Sequence, residues 1–294
     1  MTTAPALMVE NLGVRFGGLR ALDGVSLEVS PETVHGVIGP NGSGKTTMLN
    51  ALCGFVRCTG ALELFGKPLI GLAPHRRVEL GLGRTFQNPK VGEDLSVRDL
   101  LRIGEYRRGV RPFWKEAFAP WLAEAESRRS ERKALETLDE LGISLPSLDA
   151  TVASLPHGVV KMLDLARALM GDPKVILLDE STSGLNEAEI AVMREQLKRL
   201  RARRLTIVAI EHNVRFLTDV CDHVTVLDAG RRIADGAISE VLQLPAVVKA
   251  YMGDDAPFKD NQPVHVTAEE PAAAAPETQG DARPQRQRTV QGRN

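Results

Sequence analysis

The residues Gly39-Pro40-Asn41-Gly42-Ser43-Gly44-Lys45-Thr46-Thr47 satisfy every position of the phosphate-binding pattern G-x-x-x-x-G-K-[ST]. Three glycines permit a tight turn whose backbone N–H groups all point inward at phosphate oxygens, which residues with a Cβ would obstruct. Lys45 supplies a mobile positive charge for the β and γ phosphates, and the Thr46 hydroxyl suits Mg²⁺. A glycine-rich turn without a ligand would need neither Lys nor Thr at these positions. The chemistry implied is that of a nucleoside triphosphate site.

A second group of residues carries the chemistry that could follow binding. Val175-Ile176-Leu177-Leu178-Asp179-Glu180 is an apolar run that ends in two carboxylates. Asp179 is suited to hold Mg²⁺ through water, and Glu180 to orient or deprotonate an attacking water. Leu205 to Glu211 is another apolar run, and it delivers His212, which can contact a γ phosphate or the water; a structural histidine is the alternative. Gln87 closes Gly81-Leu82-Gly83-Arg84-Thr85-Phe86-Gln87, where its amide can reach a metal-bound or attacking water, although a lone Gln is weak evidence. Phe16 stands where a ring could stack on adenine, or equally where a strand aromatic joins the core.

These residues need elements to position them. Val34 to Ile38 reads as a short buried strand entering the phosphate loop and Thr46 to Leu52 as a helix leaving it, whose N-terminus attracts anions. Continuous apolar runs ending in polar residues are the mark of parallel strands buried on both faces, and ligands gather at the carboxyl ends of such strands. Met8 to Leu12 and Val25 to Val29, set apart by Gly17-Gly18 and Gly24, predict antiparallel strands beside this core, with Ala61 to Lys67 as a further strand and turn. From Leu95 to about Leu148 the pattern is helical, with Ser96 as N-cap and a run from Ala117 to Leu141. The intervening Gly104 to Pro120, with Arg107, Arg108, Arg111, Phe113 and Trp114, is a loop or a docking surface. Helices over Val159–Met170 and Glu187–Arg203, a hairpin turning at Ala229-Gly230, and short helices at Ser239–Leu242 and Ala246–Met252 complete residues 1–253. Residues 254–294, rich in Pro, Ala, Glu, Gln and Arg, are expected to be disordered.

Composition excludes several classes of function. A formal net charge of -1 leaves no basic excess for nucleic acid. Cys53, Cys58 and Cys221 lack C-x-x-C spacing and point to reduced, buried thiols of a cytoplasmic protein. No signal pattern opens the chain, and no apolar run approaches the ~18 to 20 residues needed to cross a bilayer. A role at a membrane would be that of a soluble partner.

In this order and spacing the motifs resemble the ATPase subunits of ABC transporters over about residues 7–253. Val14-Arg15-Phe16-Gly17-Gly18-Leu19, Gly83-Arg84-Thr85-Phe86-Gln87, Ser183-Gly184-Leu185-Asn186, Glu211-His212-Asn213 and Val247 to Gly253 are similar to the ATPases of branched-chain amino acid importers. The resemblance implies an α/β P-loop NTPase (RecA-like) core with an antiparallel β subdomain and an inserted helical subdomain at about 91–153. It makes Phe16 the adenine-stacking ring, Lys45 and Thr46 the phosphate and Mg²⁺ contacts, and Gln87 a lid glutamine that senses the membrane subunit. Asp179 becomes the Mg²⁺ aspartate, Glu180 the catalytic base and His212 the switch histidine. It also implies ATP held between two head-to-tail ATPase subunits, membrane-spanning permease subunits, an indirect periplasmic or extracellular solute-binding protein, and a peripheral place on the cytoplasmic face of the membrane. The family's signature turn is typically Leu-Ser-Gly-Gly-Gln, whereas this chain has Leu155-Pro156-His157-Gly158-Val159. Pro156 offers no hydroxyl to a γ phosphate, while Gly158 and the helix start remain. Ser181 replaces the usual proline after Asp-Glu. A urea or amide importer, and a soluble ABC protein outside transport, are the alternatives.

Overall fold

The computed structural model describes residues 4–86, 94–105 and 120–251, apart from the side chains of 120–123 and 126. Its centre is a six-stranded sheet built from β3 (Val34–Ile38), β6 (Leu82–Arg84), β7 (Val175–Asp179), β8 (Thr206–Ile210), β9 (His223–Asp228) and β10 (Arg231–Gly236). The strand order is β10-β9-β3-β8-β7-β6, parallel throughout except for the β9–β10 hairpin. Every residue of β3, β7 and β8 is buried. The reason is that successive side chains enter two different cores. Ile176, Leu178, Ile207 and Ala209 join one cluster, and Val175, Leu177, Val208 and Ile210 join the other. A strand with an apolar layer on each face can carry polar groups only at its ends, so the sheet itself dictates where charge collects.

On one face lie α3 (Val97–Glu105), α4 (Pro120–Glu140), α5 (His157–Leu169), α6 (Glu187–Ala202) and α7 (Val214–Val220), all contributing to the first cluster. On the other lie α1 (Lys45–Cys53) and a four-stranded antiparallel sheet, β2-β1-β4-β5, from β1 (Leu7–Phe16), β2 (Leu19–Val29), β4 (Thr59–Leu64) and β5 (Lys67–Pro68). The remaining helices are α2 (Pro74–Glu79), α8 (Ile238–Val241) and α9 (Pro245–Tyr251).

Several local expectations hold and several shift. Ser96 caps α3, its Oγ accepting from the Asp99 N–H at 3.1 Å. The β9–β10 turn has φ of 44° at Ala229 and 78° at Gly230, the two positive values that a two-residue hairpin needs. Gly24, read as a separator, lies inside β2 at φ 74°, where the pairing with β1 is irregular. The helix expected from Val159 starts at His157, because Pro156 ends the preceding extended segment and occupies the N-cap. The strand expected to run to Gln87 stops at Arg84, and Gln87 itself lies outside the described residues. So do residues 106–119 and the tail 254–294. Cys53 is buried, but Cys58 and Cys221 are only half-buried; all three are free thiols.

One buried group makes stability depend on pH. His35 in β3 is 1% exposed, and burial pulls its pKa down to about 4, with the neighbouring His223 pushing the same way and Asp235 opposing. Its Nε2 pairs with Thr225 Oγ1 at 2.8 Å. The unfolded chain therefore protonates this histidine at about 6.5 while the folded chain does not, and stability falls as pH drops from about 6.5 towards about 4. The full loss is about 3 kcal/mol, at ~1.4 kcal/mol per pH unit. Urea midpoints followed between pH 7 and 4.5 should show this slope in the wild type and its disappearance in His35→Gln; equal slopes would remove His35 as the cause.

Candidate functional site

At the carboxyl ends of β3, β7 and β8 the structure brings together residues that are far apart in the chain. Asp179, the last residue of β7, pairs with Ile210 at the end of β8, and Val37 of β3 pairs with the same Ile210 from the other side. The loop 39–44 therefore sits beside the Asp-Glu pair. Lys45 is 5% exposed. Its Nζ donates to the carbonyls of Gly39 at 2.7 Å and Pro40 at 2.9 Å. Burial lowers its pKa, and the charges of Glu180 and Asp179 act against that. Asn41, Gly42 and Thr46 are exposed at the surface of the loop, Thr47 and Gly44 are half-buried, and Ser43 is buried.

Three contacts hold the loop from behind. Gly39 lies against β9, where a Cβ would stand 2.0 Å from the Leu227 carbonyl oxygen, so no other residue fits. Gly230 of the hairpin turn donates to the Ser43 carbonyl at 3.1 Å and accepts from the Asp23 N–H at 2.9 Å, which ties the loop to β2. The Tyr251 hydroxyl at the end of α9 is hydrogen-bonded to the Gly39 backbone, and burial pushes its pKa up to about 12.

The carboxylates are held differently. Asp179 is 3% exposed; its Oδ2 accepts from Arg84 Nη2 at 2.8 Å, and its Oδ1 is buried with no hydrogen-bond partner. A buried orphan carboxylate oxygen on a residue close enough to act on Lys45 is what a hydrated cation would satisfy, so the donor set fits Mg²⁺ together with the Thr46 hydroxyl. Glu180 has a left-handed φ of 49°, a conformation that costs a non-glycine residue about 1–3 kcal/mol and that gathers at functional positions. His212 Nε2 lies 2.7 Å from Glu180 Oε1, so the two predicted residues meet although separated by a whole βα unit. Lys161 of α5 donates to the Glu180 carbonyl at 3.2 Å.

The turn at Pro156 to Val159 lies apart from the phosphate loop, against the segment after Glu180. A Cβ on Gly158 would stand 2.1 Å from Glu189 Oε1, and one on Gly184 would stand 3.1 Å from His157 Nε2. Glu189 is itself committed to a capping box with Asn186 at the start of α6. Phe16 ends β1 at 50% exposed, open to a ligand and excluded from the core.

Two site residues escaped the sequence reading. Arg84, noted only as part of a strand, holds Asp179. Glu211, noted only as the neighbour of His212, is 2% exposed and accepts from Ser181 Oγ at 2.6 Å, Thr182 Oγ1 at 2.6 Å and the Thr182 N–H at 3.0 Å. Burial pushes the Glu211 pKa up while these donors pull it down. The Ser181 hydroxyl, which a proline could not supply, is one of the three donors. This clamp joins the end of β8 to the chain leaving β7 and so fixes His212 against Glu180.

The family model described as "ABC transporter" matches residues 22–183. The chain is 34% identical to the high-affinity branched-chain amino acid transport ATP-binding protein BraF of Pseudomonas aeruginosa, over 85% of this chain and 98% of that protein. It is 31% identical to the corresponding LivG of Escherichia coli K12, over 85% and 98%. A crystal structure of a nucleotide-free ATP-binding cassette from an ABC transporter superposes with a TM-score of 0.75 at 32% identity, over 85% of this chain and all of that one. A cassette in its ADP conformation gives 0.75 at 33% identity, over 86% and 100%.

The Glu211 clamp is testable by itself. Glu211→Ala leaves two hydroxyls and one N–H without their acceptor, each orphan costing about 1–3 kcal/mol, so a loss of at least about 2 kcal/mol is expected by urea denaturation. Glu211→Gln keeps an acceptor oxygen and should lose less. A loss below about 0.5 kcal/mol for the alanine variant would show that the clamp contributes nothing.

Proposed function

The chain belongs to the ABC transporter family as an ATP-binding, ATP-hydrolysing subunit, and within it we propose that the subunit energises the import of branched-chain or related amino acids. The observation that carries the mechanism is the meeting of the phosphate loop with Asp179, Glu180 and His212 at one end of the parallel sheet. Backbone N–H groups of residues 39–47 cradle the phosphates, and Lys45 exchanges the carbonyls of Gly39 and Pro40 for phosphate oxygens. Thr46 and Asp179, with Gln87 as a further ligand, would hold Mg²⁺, which would supply charge neutralisation of the phosphates. Glu180, oriented by His212, takes the proton of the attacking water, and Phe16 stacks on adenine. We infer that the subunit dimerises and works with membrane-spanning permease subunits, as an ATP-binding subunit of a transporter must act through a membrane partner. We assign Gly158 and the α5 N-terminus to the nucleotide of a second, head-to-tail subunit, where Pro156 omits one hydroxyl contact.

Docking to the permease has structural support. An apolar groove of about 180 Å³ opens beside Arg84 and Phe86. Phe55, Val78 and Ile103 line it at 54%, 37% and 48% exposed. Among the described residues no helix is long and apolar enough to cross a membrane. We place the chain peripherally on the cytoplasmic face, between permease and cytosol, with the solute-binding protein acting only through the permease and no nucleic acid as partner. The cassette is assigned to residues 1–253 and the helical insertion to about 91–153.

Replacing Lys45 with Ala removes the loop's own cation; charge-assisted hydrogen bonds contribute roughly 1.5–3 kcal/mol, so ATP affinity should fall about ten- to a hundred-fold in a calorimetric titration. Unchanged affinity would refute the phosphate loop as the binding site. Glu180→Gln should keep ATP binding and slow single-turnover hydrolysis by about 10² to 10⁴. Wild-type turnover in that variant, measured with partner subunits present, would take the base away from Glu180. The importer reading is tested by ATP-dependent leucine uptake into vesicles reconstituted with co-purified permease and binding protein; uptake of urea and not of leucine would overturn the cargo.

A further inference from the structure

Arg84 stands where the site's charge is decided. Its guanidinium is nearly buried, the side chain being 9% exposed. Nη2 donates to Asp179 Oδ2 at 2.8 Å and Nη1 to Asn50 Oδ1 at 2.7 Å, so it links β7 to the helix that follows the phosphate loop. Its Nε is buried with no partner. The rings of Phe55 and Phe86 pack on it, their centroids 5.7 and 5.5 Å from the guanidinium carbon. The geometry therefore leaves this cation few alternatives to the Asp179 carboxylate.

Around it, each carboxylate has a cation nearby. Lys45 feels Glu180 and Asp179, and Lys161 feels Glu211, Asp164, Glu180 and Asp179. Arg167 is paired with Asp164 at 2.8 Å. Lys45, Arg84, Lys161 and Arg167 thus stand against Asp164, Asp179, Glu180 and Glu211, and Arg77 is a further buried cation beside Cys53. A bare divalent cation arriving at Asp179 meets no net negative charge. The same cation arriving with triphosphate brings its own anions.

We propose that Arg84 is a positioning residue that neutralises Asp179 so that the divalent cation enters with the nucleotide and not before it. This rests on the reading of Asp179 as the metal's carboxylate. Arg84 fixes Oδ2 and leaves Oδ1, the orphan oxygen, free to accept from a water that the metal would carry. Removing its charge takes one positive charge away from the Asp179 carboxylate. A unit charge within about 7 Å of a divalent cation changes its affinity by roughly ten- to a hundred-fold at effective dielectrics of about 40 to 80, the range of a site open to water.

The test is Mn²⁺ binding followed by electron paramagnetic resonance on the full chain, without nucleotide and then with ATP. Without nucleotide, Arg84→Gln should bind Mn²⁺ about ten- to a hundred-fold more tightly than wild type. Arg84→Lys, which keeps the charge, should stay within a few-fold of wild type. Arg84→Met keeps the stem between the two rings and gives the same gain if the glutamine variant does not fold. Adding Asp179→Asn to Arg84→Gln should abolish the gain. An unchanged nucleotide-free affinity in both neutral variants, with Asp179→Asn still weakening Mn²⁺ in the ATP complex, would overturn the role of Arg84 alone. If Asp179→Asn leaves Mn²⁺ binding to the ATP complex unaltered, the metal reading of Asp179 falls and the proposal with it.

Discussion

A sheet with an apolar core on each face can hold charge only where its strands end, and the rest of this molecule follows from that constraint. β3, β7 and β8 are buried along their whole length, and at their carboxyl ends they release a phosphate loop, an Asp-Glu pair and a Glu-His pair into one small volume. Charges taken out of water must be paired or hydrogen-bonded, since an unpaired ion there costs several kcal/mol. The structure answers with Lys45 on loop carbonyls, Arg84 on Asp179, and a triple hydrogen bond on Glu211. Among the side-chain atoms left without a partner is Asp179 Oδ1, where a hydrated cation would have something to gain.

The supports of the loop come from three directions. β9 presses on Gly39, the hairpin turn holds Ser43 and β2 together, and Tyr251 reaches the Gly39 backbone from α9. Preorganised N–H donors act on phosphate without paying for reorganisation at the moment of binding. On the other side, Phe86 donates its N–H to Asp164 at 2.7 Å, and Arg167 donates to the Arg84 carbonyl at 2.9 Å. The apolar groove and the Asp179 carboxylate are therefore neighbours through one arginine.

What was legible in the sequence was what the chemistry keeps local. The phosphate loop is a contiguous motif, and strands buried on both faces announce themselves as apolar runs ending in Asp179-Glu180 and His212. Contacts between distant segments were not legible. Arg84 and Asp179 are 95 residues apart, and nothing in Gly83-Arg84-Thr85 says which strand it will adjoin. Glu211 reads as a polar residue at a strand end until β7 is placed beside β8. The helix α2 is six residues long and shows no periodicity, its one local mark being Pro74 at its first turn. Gly24 reads as a turn but serves an irregularity within β2, where a glycine accommodates a positive φ. The role given to Gly158 comes from family resemblance, while those of Phe16 and Gln87 are read from their places in the sequence and sharpened by the resemblance; all three rest on partners or ligands outside the chain.

The central claim, that the nucleotide's phosphates lie on the backbone N–H groups of residues 39–47 beside Asp179, is tested most directly by amide hydrogen exchange with and without Mg²⁺–ATP. Protection should appear in peptides covering 39–47 and 179–182, with weaker protection around Phe16. Protection confined to the cleft of about 800 Å³ lined by Asn11, His35, Asp222 and Asp235, with the loop unchanged, would contradict the account.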